Sequence, residues 1–205
     1  MKAISVFYKS LDLTQGQSWS IINKSPLLGK DKMKTAVIYI SQTGFTKKYA
    51  EWIAEKSGAD LLTFKDAKKK KDAFFAEYDA IIYAGWCMAG KVVKQEWFLQ
   101  KAVGLKSKKL AIVAVGASPN ESPDVDAAMK NLITEEQKQY IKVFYCQGGI
   151  DYSKMKLSSK MALKMFSTIL KNSKDPKQRE QGAFIDHSYD VSDIKFIEPV
   201  ISFIS

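Results

Sequence analysis

Ser41-Gln42-Thr43-Gly44-Phe45-Thr46 places three hydroxyls and a glycine within six positions. An apolar run ends just before it and a helical pattern starts at once after it. Glycine lets the backbone turn sharply and approach a ligand closely. The free N–H groups of a helix start and the helix dipole then point at the same place. Such an arrangement holds a phosphate without needing a lysine. The segment is neither G-x-x-x-x-G-K-[ST] nor G-x-G-x-x-G. Ser, Thr and Gly also cap ordinary helices, so its place after the first strand carries the phosphate reading.

Two further stretches read as loops after strands. The first is Gly85-Trp86-Cys87-Met88-Ala89-Gly90, and the second is Gly116-Ala117-Ser118-Pro119-Asn120-Glu121-Ser122. Trp86 offers a flat indole at a strand end. Cys87 has no neighbour in sequence that would lower a thiol pKa, so packing is its expected role. Cys87 and Cys146 are the only cysteines and form no C-x-x-C, while His187 is the only histidine. A disulfide framework, a zinc site and a histidine pair are therefore not expected. No metal ligand set and no catalytic acid or base stands out.

The elements that must position these stretches follow from length and pattern. At ~150 residues per domain, 205 residues suit one domain. Hydrophobic residues make up 46% and charged residues 26%, a globular rather than a disordered composition. No stretch reaches the ~20 apolar residues that span a bilayer. Residues 1–32 read as an N-terminal extension: a short alternation at Ile4, Val6 and Tyr8, then a run of Ser, Gly, Asn and Pro. Met1 to Tyr8 lacks the pattern of a signal peptide. The domain proper is expected at 33–205, in a cytoplasmic setting with reduced thiols.

From Lys34 strands and helices alternate. Strands are expected at 35–40, 60–65, 80–84, 110–115 and 143–146. Helices are expected at 46–57, 93–103, 124–140 and 155–170, with a last one at 191–203 that Pro199 interrupts. Tyr49, Ala50, Ile53 and Ala54 share a face of the first helix, and Gly58 stops it. Lys68–Lys71 reads as a solvated turn. This alternation implies a parallel sheet with helices on both faces, where ligands bind beyond the carboxyl ends of the strands.

TAVIYISQTGFTKKYAEWIAE resembles the flavodoxin phosphate-loop pattern, [ST]-x-[ST]-G-x-T followed by an amphipathic helix. The resemblance implies an α/β flavodoxin-like doubly wound sheet of five parallel strands in the order 2-1-3-4-5. It also implies non-covalent flavin mononucleotide (FMN). Ser41, Thr43, Gly44 and Thr46 would hold the phosphate, helped by the Gln42 and Phe45 backbone N–H groups. Gly85, Trp86, Cys87, Met88 and Gly90 would flank the flavin, with Trp86 against the ring. Gly116, Ala117, Ser118 and Asn120 would reach its pyrimidine edge. The aromatic residue common in that last loop is missing here.

QGGIDYSKMKLSSKMALKMFSTILKN and the later HSYDVSDIKFI resemble the small flavodoxin-like protoporphyrinogen dehydrogenases. Gly148, Gly149 and Tyr152 fit that family's G-x-x-x-Y segment. The family couples FMN to a quinone at the membrane. Two places depart from it: Met88-Ala89-Gly90 stand where basic and aromatic residues are usual, and Asp151 stands where a basic one is.

The balance of 32 Lys+Arg against 22 Asp+Glu gives +10, and Arg179 is the only arginine. Such charge fits nucleic acid, an anionic membrane, an acidic partner or a solvated lysine surface. No motif supports nucleic acid, and none is expected as a partner. In the helix at 155–170, Leu157, Met161, Met165 and Ile169 recur every four residues among lysines. It reads as a helix packed on the sheet with its lysines in water. The same pattern suits peripheral contact with an anionic membrane. The expected function is an FMN-dependent oxidoreductase or electron carrier with a redox partner protein or a quinone. Quinone-dependent protoporphyrinogen dehydrogenase is the narrower alternative. A non-redox binding module using the basic surface is the alternative of another class.

Overall fold

Thr35–Ile40 is apolar at successive positions because both faces of its strand are covered. Val37 lies in one core and Ile38 in the other, and both are buried. The structure, a computed structural model, describes residues 33–205. The extension expected at 1–32 lies outside the described residues.

The chain runs β1 (Thr35–Ile40), α1 (Phe45–Ser57), β2 (Asp60–Thr63), α2 (Phe64–Ala67) and α3 (Asp72–Ala76). It continues through β3 (Ala80–Met88), β4 (Lys91–Val92), α4 (Gln95–Ala102) and β5 (Lys109–Gly116). Then come α5 (Pro123–Lys130), α6 (Glu135–Lys138), β6 (Ile141–Gln147) and β7 (Gly149–Ile150). The last elements are α7 (Leu157–Lys171), α8 (Pro176–Phe184), β8 (Tyr189–Asp190) and α9 (Glu198–Ile204).

The parallel strands are ordered β2-β1-β3-β5-β6. Counting those five alone, this is the expected 2-1-3-4-5. On one face Ile38, Ile81, Tyr83 and Ile112 meet Phe75, Phe98 and Leu105. On the other, Val37, Ile82 and Val113 meet Tyr49, Ala50 and Ile53 of α1, and Val200 and Ile204 of α9. Two-sided burial explains why the strands read as unbroken apolar runs rather than alternations. Each fully buried Ile or Val in them contributes about 1.5–3 kcal/mol. Register aligns the carboxyl ends: Ile40 pairs with Gly85, Trp86 with Val115, and Gly116 with Gln147.

Several elements differ from their expected bounds, each for a local reason. β2 stops at Thr63, whose hydroxyl accepts the Asp66 N–H at 3.2 Å and so starts α2. The helix expected over 124–140 is two helices. Leu132 and Ile133 are buried, so the chain leaves α5 to insert them. Thr134 and Gln137 then form a capping box that starts α6. Pro199 lies in the first turn of α9, where its missing N–H costs nothing, and so begins that helix. Before it, Ile194–Ile197 form a 3-10 turn.

The chain beyond β6 differs most. β7 and β8 pair antiparallel through Gly149–Asp190 and Ile150–Tyr189. A Cβ on Gly149 would come within 2.1 Å of the Tyr189 carbonyl oxygen, so glycine there permits the ribbon. α7 and α8 lie between its strands in sequence. The helix expected to bury its apolar side on the sheet does not do so. Leu157, Met161, Met165, Phe166 and Ile169 are all exposed.

Candidate functional site

β1 ends at Ile40, and Ser41-Gln42-Thr43-Gly44 crosses the carboxyl edge of the sheet to α1. Gly44 holds φ +108° as the residue that caps α1, and nothing lies within 4 Å of where a Cβ would stand. Its backbone is therefore open to a ligand. The Gly44 N–H donates to Ser41 Oγ at 3.1 Å, which folds the loop on itself. Thr46 is buried, while Thr43 and Phe45 are half-buried. The first turn of α1 carries no acidic residue, and Lys47 and Lys48 follow. The amide dipoles of the helix start favour an anion. Lys47 is paired with Glu51 at 3.5 Å, and Asp151 and Asp190 stand among the side chains of a cleft beside the loop.

Two clefts flank this loop. One, of about 560 Å³, is lined by the loop with Tyr39, Phe64, Lys47 and Lys154 among others. The other, of about 530 Å³, lies between Thr43, Gly44 and Phe45 on one side and Ile150, Ser153 and Tyr189 on the other. Lys154 lines both. It pairs with Asp151 at 3.0 Å. The Ser153 hydroxyl, and then Lys154, hold the Asp151 carboxyl down at about 2. Lys48 pairs with Asp190 at 2.9 Å and ties α1 to the ribbon.

The second expected loop is not a loop. Gly85, Trp86, Cys87 and Met88 extend β3, and Ala89 and Gly90 turn the chain back into β4. Ala89 and Gly90 both have positive φ, 49° and 75°, as a type I′ hairpin turn requires. Gly85 is a packing position: a Cβ there would meet Val92 Cγ1 at 2.4 Å. Trp86 and Cys87 are half-buried, Met88 is exposed, and none of the three lines either cleft. Burial pushes the Cys87 thiol up to about 12, so it stands protonated.

The third loop is where it was expected, but much of its polarity is used internally. Tyr145 Oη donates to the Ser118 carbonyl at 2.8 Å, and Tyr189 Oη donates to the Ala117 carbonyl at 3.0 Å. Asn120 Oδ1 accepts the Gln147 N–H at 2.9 Å. A Cβ on Gly116 would meet the Tyr145 hydroxyl at 2.5 Å, so Gly116 is also a packing glycine. These bonds set the loop's shape, and none of its residues lines either cleft.

The structure therefore gathers Ser41 to Phe45 around the clefts and leaves Thr46, Gly85, Trp86, Cys87, Met88, Gly90, Gly116, Ala117, Ser118 and Asn120 off their lining. Sequence reasoning missed Lys154, Phe64, Tyr189 and Ser159. Gln42 Nε2 lies 3.3 Å from Ser159 Oγ on α7. The signals for the ribbon were HSYDVSDIKFI, which contains β8, and the Gly148 to Tyr152 segment. In the latter, Tyr152 is buried and donates to the Ile185 carbonyl at 2.8 Å.

The family model described as a flavodoxin domain matches residues 36–177. The chain belongs to the flavodoxin domain family. The Ser41–Thr46 turn and all five parallel strands, apart from Thr35 at the start of β1, fall inside the match. Among solved structures, a WrbA-like flavodoxin from Agrobacterium tumefaciens is 20% identical. The likeness covers 62% of this chain and 88% of that one, with a TM-score of 0.41. The two-electron reduced Megasphaera elsdenii flavodoxin is 20% identical over 54% of this chain and 82% of that one, with a TM-score of 0.39. A Lactobacillus acidophilus flavoprotein solved in complex with FMN is 16% identical over 56% and 92%, with a TM-score of 0.37. No curated protein matches the chain.

Among the described residues no cluster of His, Cys, Asp or Glu is placed to hold a metal ion. Nor is any helix there long and apolar enough to cross a membrane.

Proposed function

We propose that this flavodoxin domain binds FMN non-covalently and serves as an electron carrier or oxidoreductase. The observation that carries the reading is the Ser41–Thr46 turn. An open, left-handed Gly44 follows the Ser41 and Thr43 hydroxyls and caps a 13-residue helix with no acidic first turn.

The residues fit the phosphate end of the group. Ser41, Thr43 and Thr46 supply hydroxyls, and the Gln42 and Phe45 backbones supply N–H donors. Gly44 gives clearance, and Lys47 and Lys154 stand at the rim, paired with Glu51 and Asp151. When bound, the flavin would supply the redox chemistry by accepting and passing on electrons. Trp86 at the end of β3 remains the proposed surface for the ring, and the loop at Gly116, Ala117, Ser118 and Asn120 the proposed neighbour of its polar edge. The chain's own tasks are to hold the cofactor, orient it and decide who reaches it.

The proposed partners are a redox protein or a quinone. Quinone-dependent protoporphyrinogen dehydrogenase is the narrower reading. One observation favours a quinone: the exposed apolar side of α7 belongs to the helix whose Ser159 touches the Gln42 of the loop. Anaerobic assay of the FMN-loaded chain with a porphyrinogen and a menaquinone analogue tests it. Turnover is expected on that narrower reading; an active flavin without turnover restricts the function to electron carriage.

The visible absorbance of the purified chain, before and after adding FMN, tests the main reading. A bound-flavin spectrum that Thr43→Ala weakens is expected. No bound flavin at excess FMN would overturn it.

A further inference from the structure

α7 presents its apolar side to solvent. Leu157, Met161, Met165 and Ile169 are 73%, 64%, 65% and 60% exposed. Four-residue spacing puts them on one side of the helix, and exposed Phe166 widens the stripe. The helix is anchored by other residues. Ser167 is fully buried and donates to the Gly182 carbonyl at 2.8 Å. Leu163 and Leu170 pack against the small cluster of Ile150, Tyr152 and Ile185. The outward stripe is thus not the face that holds α7 in place.

Charge selects what covers it. Residues 154–179 hold eight Lys or Arg and a single acid, Asp175, and α7 itself contains no acidic residue. Lys164 and Lys171 are engaged with Asp186. Among the described residues, Lys156 and Lys160 make no ion pair. An apolar stripe on a helix that carries cations and no acid suits a surface that is apolar beneath and anionic on top. A bilayer of anionic phospholipid has that order. A second copy of the chain would bring like charges together at the same border.

We propose that α7 lies in the surface of an anionic phospholipid bilayer. Leu157, Met161, Met165 and Ile169 enter the boundary between headgroups and acyl chains, and Lys156 and Lys160 meet lipid phosphates. The Gln42–Ser159 contact then sets the loop that follows β1 beside the membrane. On the proposed flavin reading, that brings the cofactor site near a lipid-dissolved acceptor.

The test is sedimentation of the full chain with sucrose-loaded vesicles of phosphatidylcholine containing phosphatidylglycerol, against pure phosphatidylcholine. Binding to the anionic vesicles only, falling as salt is raised, is expected. Lys156→Ser with Lys160→Ser should weaken it about 30-fold, from ~1 kcal/mol per lysine near the surface. Met161→Ser with Ile169→Ser should weaken it at least about tenfold. All four positions are exposed, so thermal melts should stay unchanged and separate lost binding from lost folding. Three results would overturn the proposal. They are no binding to anionic vesicles, equal binding to neutral ones, or a dimer in sedimentation velocity that the Met161/Ile169 variant abolishes. Flavin absorbance read in the same samples reports on the cofactor separately, so either idea can fail alone.

Discussion

Gln42, in the turn after β1, donates from Nε2 to Ser159 Oγ on α7, 3.3 Å away and 117 positions further along the chain. It is a direct side-chain link between the candidate phosphate loop and the last third of the domain. Ser159→Ala removes it from a half-buried place where water can substitute. Global stability should change by less than about 1 kcal/mol. Amide hydrogen exchange over residues 41–46 and 157–160 should quicken together. Unchanged exchange in both segments would show that the link does not restrain the loop.

Gly44→Ala isolates a backbone cost. No atom lies within 4 Å of the new methyl, yet φ is +108°. The strain should cost about 1–3 kcal/mol, all of it from the new Cβ against its own local backbone. Urea unfolding checks this. A neutral result would mean that the turn can relax to another conformation.

Gly149→Ala and Gly104→Ala form a contrasting pair. At Gly149 the methyl meets the Tyr189 carbonyl oxygen at 2.1 Å, and at Gly104 it meets nothing within 4 Å. The first should cost at least about 1–3 kcal/mol by overpacking and open the β7–β8 ribbon. The second should be neutral or stabilise by about 0.4–1 kcal/mol through the unfolded chain. Thermal melts of both variants decide the matter, and equal shifts would contradict it.

Acid should loosen the region around β7 and α7 before it loosens the sheet. Hydrogen bonds from Lys164 and Lys171 hold the Asp186 carboxyl well below its ordinary 3.8, and Asp151 is held down at about 2, first by Ser153 and then by Lys154. A lowered folded-state pKa stabilises above the unfolded value. The contribution is whole above 3.8 and fades as pH falls toward about 2. Both carboxylates are half-buried and still reached by solvent, so the effect is modest and salt-sensitive. Hydrogen exchange between those limits should show residues 150–190 opening first. Asp186→Asn should flatten that dependence, and an unaltered profile would contradict the assignment.

The cysteines should be sluggish toward thiol reagents. Burial pushes both Cys87 and Cys146 up to about 12. At mildly alkaline pH the native chain should label at least about 100-fold more slowly than a free thiol of pKa ~8.5. Rapid labelling of Cys87 would show that the β3–β4 hairpin opens.

The sheet was legible because two-sided burial writes itself as apolar runs. TAVIYI, AIIYA and LAIVAV show β1, β3 and β5 without help from distant residues. The turn at Ser41–Thr46 was legible for the same reason, since it follows the first of those runs. The hairpin at Ala89-Gly90 was not, because an alanine at positive φ carries no turn signal. The break between α5 and α6 had a readable mark, Thr134 with Gln137, that the longer helical pattern obscured. The β7–β8 ribbon depends on contacts across 40 residues of chain, beyond any local pattern. The outward side of α7 has the periodicity of a packed helix, and periodicity does not say which side the protein covers.

The most direct test of the central claim is to titrate the full chain with FMN and with riboflavin, following quenching of flavin fluorescence. The two ligands differ by the phosphate alone. The Ser41–Thr46 turn predicts that FMN binds at least about tenfold tighter, the scale of one charge-assisted hydrogen bond. It also predicts that Thr43→Ala narrows that gap. Equal affinities, or no quenching by either ligand, would contradict the assignment of this turn as a phosphate site.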